Sequence, residues 1–372
     1  MLVIIFILFA TIFLAYVNGA NDNFKGVATL FGSGTTNYKK ALYWATLTTL
    51  LGSLAALFIS TKLITIFSGK GLVPDQVVNN PQFLISVALG AGLTVLIATL
   101  IGIPISTTHS LTGALIGAAV VSTGTEINFH TLGNKFFLPL LISPFISAFF
   151  TFIIYPGFRF ARIKLGIKRE MCLCVGERME PVYVQQDGAA VLKSTGIALT
   201  IDQLQNCQHY YRGKILGFDT QQILDKMHYF SAGAVSFARG LNDTPKIVAL
   251  LLVMKAISVN SGIFIVGVAI ACGGLLNAKR VALTMSQRIT KMNHGQGFCA
   301  NIITAFLVIF ASSAGMPVST THVSCGSLFG IGIVNKKANL PVIRQIILAW
   351  VLTLPIAAIL SGISFFVIGN FK

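Results

Sequence analysis

The chain has 372 residues, of which 54% are hydrophobic and only 10% are charged, against about a quarter charged in an ordinary soluble domain. That composition excludes a soluble enzyme and implies a polytopic membrane protein. Its 27 Lys and Arg against 11 Asp and Glu give a net charge of +16, which in a bilayer protein reads as positive charge gathered in cytoplasmic loops, with no nucleic-acid partner implied.

A bilayer-crossing helix takes about 20 apolar residues. In chain order, uncharged runs cover residues 1–21, 41–61, 76–125, 136–158, 256–278, 292–335 and 345–371. The first opens without a basic region or a small-residue cleavage site, so no removable signal peptide is expected. Between the fourth and fifth runs lies a polar stretch, residues 159–226, that holds seven of the 11 acids and ten of the basic residues. Its mixed charge and few apolar runs suggest a linker or regulatory loop. The six cysteines form no disulfide framework, and Cys172 and Cys174 lack a second Cys or His cluster for a metal.

Asp75 and Glu126 fall in short connections, which leaves Asp22 and Asp243 as the acids that interrupt apolar sequence. Each is preceded by Asn and followed three residues later by Lys: Asn21-Asp22 with Lys25, and Asn242-Asp243 with Lys246. An ionisable group at membrane depth is costly and is usually kept for function.

A second motif is also duplicated. Pro104-Ile105-Ser106-Thr107-Thr108-His109 recurs as Pro317-Val318-Ser319-Thr320-Thr321-His322, and Gly113 and Gly117 recur as Gly326 and Gly330. Ser106 follows Asn21 by 85 residues, and Ser319 follows Asn242 by 77. The chain therefore reads as an internal duplication: a first transmembrane repeat (1–158), a cytoplasmic loop (159–226) and a second repeat (227–372).

Suppose the segments flanking each Asn-Asp pair form one helix broken in the middle. Each repeat then crosses the bilayer an odd number of times, and the second is inverted relative to the first. The expected fold is all-α, with two inverted-topology repeats, broken helices, Pro-divided helical hairpins and about 10–12 membrane segments. With the central loop cytoplasmic and both termini outside, nine basic loop residues between Lys39 and Arg344 fall inside, against Lys62, Lys70, Lys135, Lys255 and Lys372 outside. That is the bias the positive-inside rule requires.

The motifs suggest opposite chemistries. Proline is expected to stop one helix and the hydroxyl residues to begin the next, so that Ser106, Thr107, Thr108, Ser319, Thr320 and Thr321 offer hydroxyls and free N–H groups to an oxyanion. Asp22, Asp243, Asn21 and Asn242 offer hard oxygens to a cation. His109 and His322 could touch the anion or satisfy local backbone. Lys25 and Lys246 are as well placed for an ion pair as for substrate. Arg239 has no basic counterpart, since Asn18 occupies the equivalent place.

Together, Gly19-Ala20-Asn21-Asp22, Gly240-Leu241-Asn242-Asp243 and the paired Pro-x-Ser-Thr-Thr-His motifs resemble the inorganic phosphate transporter family. The resemblance implies a sodium/phosphate symporter of the cell (inner) membrane, not an enzyme, often a homodimer in the lipid bilayer. Sodium is the only metal it implies, as coupling ion rather than cofactor. By matching motif, Ser106, Thr107, Thr108, Ser319, Thr320, Thr321, Asn21 and Asn242 would hold phosphate, and Asp22, Asp243, Asn21 and Asn242 would hold Na⁺. The family's Asn-Asp is frequently followed by Val-Ala-Asn-Ala, whereas here Asn23-Phe24-Lys25-Gly26 and Thr244-Pro245-Lys246-Ile247 follow. The alternatives are a proton-coupled phosphate or sulfate permease of the same fold and, in another class, an anion channel.

Overall fold

A computed structural model describes residues 2–124, 126–167, 171–184, 190–203, 216–253 and 257–370. Two compact units emerge, residues 1–154 with 229–372, and residues 155–228. Lys255 and Lys372, counted above among the outside charges, lie outside the described residues, as do Cys207 and the side chains of Cys172 and Cys174.

The first half of the membrane unit begins with α1 (Leu2–Asp22), a 3₁₀ stretch (Asn23–Val27) and α2 (Ala28–Gly32). There follow α3 (Tyr38–Ile59), α4 (Thr61–Phe67), α5 (Asp75–Val78), α6 (Pro81–Ile101), α7 (Thr107–Thr123), α8 (Phe129–Thr131) and α9 (Leu138–Lys164). The second half supplies α10 (Thr220–Leu252), α11 (Val259–Asn277), α12 (Lys279–Leu283), α13 (His294–Ser313), α14 (Thr320–Val334) and α15 (Leu340–Asn370). Helix starts follow side-chain chemistry. Asn80 caps α6 by accepting from Gln82 N, with Pro81 at the first position where its missing N–H costs little. Asn293 and Gln296 close a capping box on α13.

Among the described residues seven helical stretches are long and apolar enough to cross a membrane. Helix α14 is a shorter apolar helix, and α7 and α10 carry the first Ser-Thr-Thr-His motif and the second Asn-Asp pair. Large apolar side chains face outward, for example Phe9, Phe58, Phe145, Phe306 and Phe366, while polar ones such as Asn21, Asp22, Lys25, Ser106, Thr321, Asp243 and Lys246 are buried. That distribution suits a lipid solvent, in which polar groups find their partners inside the protein.

The 155–228 unit carries three antiparallel strands in the order β2-β1-β3: β1 (Met171–Val184), β2 (Ala190–Gln203) and β3 (Leu216–Asp219). The all-helical expectation therefore describes the membrane unit, and the central stretch is more than a linker. Alternation such as Ile197, Leu199, Ile201 is a weaker signal than an unbroken apolar run.

The two halves grip each other reciprocally. A Cβ on Gly19 would stand 1.9 Å from the Ile270 carbonyl oxygen, and one on Gly240 would stand 2.1 Å from that of Thr49. Adding 221 to Gly19 and Thr49 gives Gly240 and Ile270. The same exchange holds for Gly113 on Leu354 and Gly326 on Pro144, with Cβ distances of 2.3 and 2.4 Å. Residue i meeting j′ while j meets i′ is the contact pattern of two equivalent units about a twofold.

Candidate functional site

The divided pairs meet their expected geometry with one correction. Helix α6 is ended by Gly102, at φ 76°, not by Pro104. Ile103 N donates to Ala98 O (2.9 Å) and Gly102 N to Thr99 O (3.1 Å), a glycine C-cap that needs the left-handed backbone. Gly315 does the same for α13, at φ 75°, and each proline stands two residues further on. Ser106 and Ser319 then cap α7 and α14, each Oγ accepting the backbone N–H of His109 or His322 at 3.1 Å. The two serines have φ −98° and −97°, both with ψ 115°, so the duplication in sequence is a duplication in conformation.

The Asn-Asp pairs are not alike in backbone. Asp22 ends α1, and the 3₁₀ stretch interrupts the path to α2. The second pair lies inside α10, which runs through Asn242 and Asp243 unbroken. Pro245 is the reason a weaker signature remains there: lacking an N–H, it leaves the Leu241 carbonyl without its helical donor.

Side chains of both halves converge on one buried network. Lys25 Nζ pairs closely with Asp22 Oδ1 and donates to Asn21 Oδ1 (2.8 Å), Ile105 O (2.7 Å) and Thr321 Oγ1 (2.7 Å). Lys246 Nζ lies 3.5 Å from Asp243 Oδ1 and donates to Thr108 Oγ1 (2.7 Å) and Val318 O (2.8 Å). Lys25 thus binds the acid and a carbonyl of its own half and a threonine of the opposite half, while Lys246 does the same from the other side. Thr321 Oγ1 in turn donates to Ile105 O (2.9 Å), and Thr108 Oγ1 to Val318 O (3.3 Å).

Asn21 Nδ2 donates to Thr99 Oγ1 (3.0 Å) and Ile103 O (3.2 Å), and Ile105 N donates to Asn21 Oδ1 (3.2 Å). Asn242 Nδ2 donates to Asp243 Oδ1 (3.0 Å) and Val318 O (3.1 Å), and Ser312 Oγ donates to Asn242 Oδ1 (3.1 Å). Thr107 Oγ1 donates to Asp22 Oδ2 at 3.3 Å, and Thr320 is buried in the first turn of α14. The histidine rings of the two motifs lie 4.3 Å apart, and His322 stacks on Trp350 at 3.8 Å. His322 Nδ1 donates to Leu140 O at 3.3 Å, and His109 Nδ1 and His322 Nε2 have no hydrogen-bond partner among the described residues.

Two further members were not singled out by the sequence motifs. Asn18 Nδ2 reaches Thr107 Oγ1 (2.9 Å), Asp22 Oδ2 (3.4 Å) and Asp243 Oδ2 (3.4 Å), so it links both carboxylates. Arg239 donates to Asn18 Oδ1 and Asn23 Oδ1, both at 3.4 Å, and its Nε lies 4.0 Å from Asp243 Oδ2. The sequence excludes a symmetric role for this unlike pair, although each stands four residues before an acid on the same helical face.

The network sets two helix N-termini, two carboxylates and their buried cations together at the junction of two equivalent halves. Residues 18–361 match the phosphate transporter family. The chain belongs to that family. A Pyrococcus abyssi protein that bears the provisional name phosphate permease is 26% identical over 392 residues, covering 95% of this chain and 94% of its own. A Haemophilus influenzae protein so named is 28% identical, covering 96% and 94%. Rhizobium meliloti has one provisionally named a low-affinity inorganic phosphate transporter, 24% identical, covering 95% and 93%. The solved structure of a protein named the sodium-dependent phosphate transporter superposes with a TM-score of 0.77 over the whole of both chains at 20% identity, a likeness of fold. This family member is accordingly a multi-pass transporter and not an enzyme.

Proposed function

We propose that the protein is a secondary symporter that imports inorganic phosphate through this buried network, driven by a cation gradient. The observation that carries the reading is the convergence of the α7 and α14 N-termini on Asp22 and Asp243 within one set of hydrogen bonds drawn from both halves. Two helix N-termini with hydroxyl donors suit a tetrahedral oxyanion. Ser106, Thr107, Thr108, Ser319, Thr320 and Thr321 are its proposed donors. The repeats are taken to be inverted in the bilayer, with the central loop cytoplasmic, as the basic residues favour.

Na⁺ is the first candidate for the driving ion, supported by the sodium dependence in the name of the solved neighbour and by the oxygens of Asp22, Asp243, Asn21 and Asn242. The proton is the second, and one observation favours it: ammonium groups already stand in the oxygen shells beside both acids. Uptake of labelled phosphate into proteoliposomes, with a Na⁺ gradient, a proton gradient or neither, separates the two. Uptake indifferent to both gradients defeats symport, and uptake that sulfate abolishes while phosphate is a poor substrate transfers the reading to sulfate.

A further inference from the structure

The oxygen shells beside the two acids are filled, and the groups that fill them belong to the chain itself. Lys25 Nζ meets a carboxylate, an amide oxygen, a backbone carbonyl and a hydroxyl, the donor set that a hard cation takes. Lys246 Nζ meets a carboxylate, a backbone carbonyl and a hydroxyl in the equivalent place. A plain ion pair needs only the acid. Here each ammonium instead bridges the halves, because its hydroxyl partner sits in the first turn of the opposite half's helix.

Arg239 adds a third cation between the acids. Lys25, Lys246, Arg239, Asp22 and Asp243 are all 3% exposed or less. With all five ionised, the cluster carries three positive charges against two negative and keeps one in surplus. A surplus charge is costly in a buried setting unless a counter-ion completes it. Arg239 Nε is a buried donor with no hydrogen-bond partner among the described residues. One singly charged oxyanion would satisfy both deficits.

Resting on the reading that phosphate binds in this network, we propose that Lys25, Lys246 and Arg239 are resident cations that take the place of Na⁺ ions at the two acids. Phosphate therefore binds this protein without Na⁺ at either acid, and the repulsion between anion and carboxylates is cancelled by the chain.

The test is binding of labelled inorganic phosphate to the purified full-length protein in sodium chloride and in N-methyl-D-glucamine chloride of equal ionic strength. The expected dissociation constants agree within threefold, and a larger loss on removing Na⁺ overturns the inference. Lys25→Asn and Lys246→Asn are each expected to weaken binding at least tenfold without Na⁺, and added Na⁺ is expected to recover part of it by entering the vacated shell. Either variant binding like the wild type without Na⁺ overturns the inference as well. The wild-type comparison needs no variant, so a variant that fails to fold leaves the test standing. Wild-type protein that binds phosphate in neither salt overturns the phosphate-site reading and the inference with it, whereas Na⁺-dependent binding overturns the inference alone.

Discussion

Replacing Lys25 with Met keeps most of the side chain's length and removes its charge. Lys25 is 3% exposed and Asp22 is 1% exposed, so the carboxylate left behind has no access to water. Removing one partner of a buried pair costs about 3–5 kcal/mol, while removing both partners together is often nearly neutral. The lower end applies here, because Thr107 and Asn18 still donate to Asp22 Oδ2. At roughly 2 °C per kcal/mol for a large domain, Lys25→Met should melt about 6 °C below the wild type. The double variant Asp22→Asn, Lys25→Met should recover most of that loss. Intrinsic fluorescence reads the transition, since Trp44 donates to Tyr229 O across the halves and Trp350 stacks on His322. A single variant that melts within a degree of the wild type, or a double variant no more stable than the single, would refute the claim that Lys25 and Asp22 are a buried, mutually stabilising pair.

The helix contacts are equally open to test. Gly19→Ala and Gly240→Ala should each lower the melting temperature, because the added methyl meets a backbone carbonyl at 1.9 or 2.1 Å; overpacking of this kind costs about 1–3 kcal/mol, and a variant as stable as wild type would deny the close approach. Ser106→Ala and Ser319→Ala remove the caps of α7 and α14 and should cost about 1 kcal/mol each, with similar losses on the two sides if the halves are equivalent. Single cysteines placed at the termini should react with an impermeant thiol reagent added outside intact cells, and labelling from the cytoplasmic side alone would reverse the proposed topology.

The scarcity of acids made Asp22 and Asp243 legible in the sequence, and the repeated Ser-Thr-Thr-His made the paired helix starts legible. Local rules sufficed for both, since a charge in an apolar run and a capping serine declare themselves within a few residues. Partners across the halves were another matter. The spacing from Asp22 to Lys25 shows that the two share a helical face, but nothing in it says that Thr321 completes the shell, a contact 296 residues away. Arg239 lacks a symmetric role because Asn18 stands in its equivalent place, yet the structure brings those two unlike residues into contact. A break at Asn242-Asp243 follows from analogy with the first pair, yet α10 runs continuously there. The proline of each divided pair draws attention from Gly102 and Gly315, whose positive φ actually ends the preceding helices.

Central to this account is a single oxyanion bound where the two halves meet. An experimental structure of the purified protein with arsenate, located by the anomalous signal of arsenic, tests it most directly. The account predicts one arsenic peak between the first turns of α7 and α14, within hydrogen-bonding reach of the serine and threonine hydroxyls and beside Arg239, in crystals free of Na⁺. A peak elsewhere in the membrane unit, or one that appears between those turns only when Na⁺ is added, would contradict it.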